Sequence, residues 1–149
     1  MSNLKNLEIE ERDMGYRSEV VLAVSKEMLP HFMTVLAKNP GVRPMVLEDT
    51  TTLNEDYDGE GGWLMHWSGI KWYESYPEVA AIQAFVEDCD TGCLETWHIE
   101  HGGGDLATPH DMNEYEHFRF VRLGEENEDV EDKGEFCFAD ICFVRDVNF

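Results

Sequence analysis

Positive charge is what this chain has least of. Eleven Lys and Arg stand against 32 Asp and Glu, for a formal net charge of −21. Between Arg43 and Arg119 the only Lys or Arg is Lys71, while 17 acids fall in the same interval. Gripping phosphate backbones takes clusters of Lys and Arg, and the chain has none. Direct binding to DNA, RNA or an anionic membrane is therefore disfavoured, and a basic partner is favoured. Long apolar runs are also missing. No stretch approaches the roughly 18 uncharged apolar residues of a membrane-spanning helix. The start, Met1 to Asp13, is polar and acidic and has neither the basic opening nor the apolar core of a signal peptide. A cytoplasmic location is expected, with the four cysteines as thiols. Catalytic signatures are absent as well: no G-x-S-x-G elbow, Walker loop, H-E-x-x-H or dinucleotide fingerprint. Gly102-Gly103-Gly104 has no Lys after it and reads as a turn. With so many acids a chance pair is expected, so no catalytic residue, enzyme activity or cofactor is assigned.

What is present is enough for a folded domain. The 149 residues are 42% hydrophobic and 11% aromatic, too apolar for a disordered chain. Residues 1–13 read as a flexible leader and 14–149 as one domain. Arg17 to Val24 is a β-rich run ending at Ser25, a helix-start residue. Met28, Leu29, Phe32, Val35 and Leu36 then fall on one helical face, and Asn39-Pro40-Gly41 stops that helix. Residues 40–62 read as a loop with room for a short strand at Met45 to Leu47. Trp63 to Tyr73 reads as a strand kinked at Gly69. Ser75 and Glu78 have capping-box spacing ahead of a second helix, whose buried stripe is Val79, Ile82, Phe85, Val86 and Cys89. Leu94 to His101, Phe118 to Leu123 and Phe136 to Val147 read as strands, with an acidic turn region at 124–135. The order is β-α-β-α-β-β-β. It predicts an α+β two-layer sandwich of about five strands, in a mixed or antiparallel sheet, with two helices on one face.

Three side-chain groupings could carry chemistry. Cys89, Cys93, His98 and His101 are zinc-ligand types, yet the four-residue gap between the pairs is short, and on a strand the two histidines would point to opposite faces. No metal site is assigned. Cys137 and Cys142 read as core. Two acidic clusters follow: Asp56, Asp58 and Glu60 in a glycine-rich loop, and Glu125, Glu126, Glu128, Asp129, Glu131, Asp132 and Glu135 in one short segment. Such clusters bind calcium or magnesium in other settings, but neither has a metal-site spacing, and a solvated acidic face is the plain reading. Last come the aromatics. Trp63 and Trp67 share one face of a strand and Trp72 points to the other, so one set would be exposed beside acids, as interface anchors are. The alternative is that both faces are covered and all are core. The aromatic strand could also serve a homodimer.

Three segments carry a resemblance: MGYRSEV at Met14 to Val20, IKWYESYPEV at Ile70 to Val79, and RLGEENEDVEDKGE at Arg122 to Glu135. Together and in this order they resemble a family of small bacteriophage and prophage proteins of undefined activity. The chain departs from that pattern in its leader and in extra residues around Leu94 to Glu116. The resemblance implies a phage context and a compact α/β fold, and supplies no activity. The expectation is a phage accessory protein that inhibits or redirects a host protein with a basic surface, such as a nuclease, a defence complex or a polymerase, by mimicking nucleic acid. Contacts would come from Asp56, Asp58, Glu60, Glu125, Glu126, Glu128, Asp129, Glu131 and Asp132, with Trp63, Trp67 and Trp72 as apolar anchors. A nucleotide or small-molecule binder, a metal-dependent hydrolase and a virion or scaffold component are the alternatives.

Overall fold

The structure of the protein, a computed structural model, describes residues 15–101, 113–137, 140–143 and 147–148. The leader expected at 1–13 and the glycine triplet lie outside them. In chain order the elements are β1 (Ser18–Val24), α1 (Leu29–Lys38), α2 (Val42–Leu47), β2 (Thr52–Asn54), β3 (Trp63–Ile70), α3 (Pro77–Thr91) and α4 (Glu95–His101). A 3-10 turn at Glu114–His117, β4 (Phe118–Leu123), β5 (Val130–Gly134) and the short β6 (Cys142–Phe143) and β7 (Val147–Asn148) follow. The first five strands form one sheet in the order β2-β3-β1-β4-β5, with every pairing antiparallel. β6 and β7 pair with each other. The fold is α+β.

The central strand explains the layering. Val20, Leu22 and Val24 face the helices and pack with Met65, Phe118, Phe120, Phe32, Ile82 and Phe85. Val21 and Ala23 face the opposite way, against Leu64, Val121 and Ile141, with Tyr57, Phe136 and Cys137 over them. Both faces of β1 are covered, so its apolar residues run without alternation. Opposite Ser18–Val20 the register shifts, and β3 carries the extra residue at Gly69, whose φ is 61°. Only a residue tolerant of positive φ suits such a bulge.

Four readings of local structure are corrected. Met45 to Leu47 belongs to a helix, α2, and not to a strand. Leu94 to His101 is mostly helix α4, which buries Trp97. The acidic turn region contains a real strand, β5. The closing segment is no continuous strand: residues 136 and 137 are in a turn, and among the described residues of the segment only the pairs forming β6 and β7 are extended. The capping box also fails in detail, because Tyr76 is the N-cap of α3 and no side chain caps it. Pro77 starts that helix, and Gly92, with φ of 71°, ends it in the left-handed conformation.

Candidate functional site

The two acidic segments lie at opposite ends of β1. Glu19 pairs with Leu123, next to the turn that holds Glu125, Glu126 and Glu128. Val24 pairs with Trp63, where the loop of Asp56, Asp58 and Glu60 enters β3. Seven residues of strand separate these ends, or roughly 20 Å at the usual rise. The acids are spread out and do not converge on one cavity.

Within each segment the carboxylates divide by role. Asp58 Oδ1 accepts the N–H groups of Glu60 (3.0 Å) and Gly62 (2.8 Å), and Asp56 Oδ1 accepts Gly61 N–H at 2.8 Å. These two acids fold their own loop, while Glu60 faces solvent. At the other end, the Tyr16 hydroxyl donates to Asp129 Oδ2 at 2.8 Å and accepts Glu126 N–H at 2.9 Å. Arg122 donates twice to Asp129, at 2.7 and 3.1 Å, and once to Glu131 at 2.9 Å. The Arg122 hydrogen bonds hold the Asp129 carboxyl below the usual aspartate range, and Asp129 in turn raises the Arg122 guanidinium. Arg119, fully buried, pairs with Asp132 and donates to the carbonyls of Ile141 and Gly134. Lys133 reaches Glu87 at 3.1 Å and Glu131 at 3.9 Å. Asp129, Glu131 and Asp132 are thus engaged with cations of the chain itself, a departure from the expected free display. Glu125, Glu126 and Glu128 remain exposed.

This end of the sheet is also where the three resembling segments meet. Tyr16 and Arg17 of the first bind Asp129 of the third and the Gly69 carbonyl beside the second. Trp72 of the second donates to Gln83, whose amide lies 3.4 Å from Glu131 of the third. A Cβ at Gly124 would collide with Asp129 and Tyr16, so a side chain is excluded there. These motif residues have a structural job in this chain.

The tryptophans need correcting as anchors. Trp67 and Trp72 are 1% and 8% exposed, and both belong to the helix-side core. Trp67 Nε1–H donates to the Met45 carbonyl at 2.9 Å. Trp63, partly buried, packs on the same core. Trp72 lies beyond the end of β3, so it does not point to the other face; its ring sits 5.5 Å from that of Trp67. Among the described residues, the large apolar side chains most exposed are Leu47 and Ile99.

The four cysteine and histidine positions do not come together either. Cys89 is buried in the core, where burial pushes its thiol up, and Cys93 is exposed. His98 Nε2 lies 2.6 Å from the Gly92 carbonyl and 3.1 Å from Glu114. His101 instead meets His31 of α1, with Glu100 alongside. Reading α4 as a strand hid this grouping, because helical spacing is needed to turn Glu100 and His101 toward α1. Comparison with protein-family models, with curated proteins and with solved structures finds no match.

Proposed function

We propose that the protein acts by docking its acidic surface on a basic, nucleic-acid-binding surface of another protein, and that in a phage context the target is a host factor. The observation that carries this reading is the partition of charge. Arg119, Arg122 and Lys133 are drawn into pairs with the chain's own acids. Glu60, Glu125, Glu126 and Glu128 stand exposed at the two ends of the sheet. A surface with that distribution repels polyanions and is steered toward cations, with a rate that falls as salt rises. The contact set is therefore narrower than composition alone suggests. The three tryptophans leave it, and Asp129, Glu131 and Asp132 act in it mainly by holding the turn in shape.

Charge reversal tests the reading. A variant with Glu60→Lys, Glu125→Lys, Glu126→Lys and Glu128→Lys changes exposed positions only, so its circular dichroism should match the parent. Used as bait in a bacterial host lysate at low salt, the parent should retain a basic protein that the variant does not. Equal retention by both would reject the proposal.

A further inference from the structure

We propose that His31, Glu100 and His101 form a binding site for a divalent metal ion of the zinc class. Their ligand atoms, one from each residue, all lie within 4.8 Å of one another. Glu100 Oε2 is 2.8 Å from His31 Nε2, and Glu100 Oε1 is 3.8 Å from His101 Nε2. Ligand atoms around a tetrahedral zinc ion stand about 3.4 Å apart, given metal–ligand bonds of about 2.1 Å. The observed separations bracket that value, so small side-chain rotations close the site.

A second observation points to a ligand. His31 is 6% exposed. Its Nε2 and that of His101 are buried side-chain atoms without a hydrogen-bond partner. Both nitrogens face the Glu100 carboxylate, which stands 2.8 Å from His31 Nε2 and 3.8 Å from His101 Nε2. Buried polar atoms are nearly always satisfied, and two such nitrogens turned to one carboxylate are what a cation would satisfy. The surroundings fit as well. His31 Nδ1 lies 2.8 Å from Thr96 Oγ1. With its proton on Nδ1, donated to the threonine oxygen, His31 presents the Nε2 lone pair to the ion, the outer-shell arrangement usual for metal-binding histidines. The Trp97 ring lies 5.3 Å from His31 and 4.2 Å from His101, and so walls both imidazoles. Glu100 is 55% exposed. The site therefore opens to solvent on the carboxylate side, where a water or an external group could complete the coordination. Two imidazoles and one carboxylate favour zinc, cobalt or nickel over magnesium or calcium, which prefer all-oxygen sites. This site shares no residue with the two acidic segments.

The experiment is titration of the metal-stripped full-length protein with zinc against a chromophoric chelator, with cobalt spectra as a second readout. One ion per chain is expected, with a cobalt spectrum of nitrogen and oxygen ligation and no thiolate charge-transfer band. His101→Ala and Glu100→Gln, neither a change at a fully buried residue, should weaken binding by about 100-fold, and Thr96→Val by about 10-fold. Cys93→Ser and His98→Ala should bind like the parent. Absence of binding at micromolar zinc would overturn the site. So would binding that survives in His101→Ala and Glu100→Gln, or that is lost in Cys93→Ser.

Discussion

Asp129 shows how one acid can serve shape more than charge display. It accepts from Tyr16 and twice from Arg122, and its carboxyl is held below the usual range. A depressed folded-state pKa contributes stability that is present above the unfolded value and lost as pH falls through the folded one. Urea midpoints should therefore drop on acidification below the ordinary aspartate range, and Asp129→Asn should drop less over that window. An identical pH profile for the two would contradict the pairing. Trp67 marks the opposite case, an aromatic with no surface role. Trp67→Ala should cost about 3–5 kcal/mol in urea unfolding. A cost near zero would mean that the ring is not in the core.

At the scale of elements, the close approach of the end of β5 to the start of β4 depends on one residue. Gly134 has φ of 85°, and a Cβ there would run into the Phe118 carbonyl. Gly134→Ala should destabilise by more than about 1 kcal/mol, whereas alanine at exposed Glu135 should change little. Elements differ in how far the sequence betrays them. Helices α1 and α3 are legible because Phe32 and Leu36, and Val79, Ile82 and Val86, repeat at helical spacing around a buried stripe. The apolar runs of β1 and β4 are equally plain. α4 is not, because its seven residues bury one side chain, Trp97, so no apolar repeat marks the helical period, and Trp97 and Ile99 are spaced as on a strand. α2 carries a proline inside a loop-like stretch. β5 is highly charged, and its place at the sheet edge comes from pairing with β4 and not from hydrophobicity. The site was legible only in part for the same reasons. Exposed acids can be counted in a sequence, but which of them bind Arg119 or Arg122, and that His31 meets His101, depends on contacts between distant segments.

On the scale of the whole molecule the excess of acid dominates. A net charge of −21 on a chain of this length repels itself in the folded state. Added sodium chloride screens exposed charges more than partly buried pairs such as Arg122 with Asp129. The thermal midpoint should therefore rise between low salt and about half-molar salt, and a fall would mean that internal ion pairs outweigh the repulsion. The same excess is what the proposed function uses. Its most direct measurement is competition for the captured partner between this protein and duplex DNA, at several salt concentrations. Mutual displacement is predicted, with affinity for the protein falling as salt rises. Simultaneous binding of both, or an affinity indifferent to salt, would contradict the account.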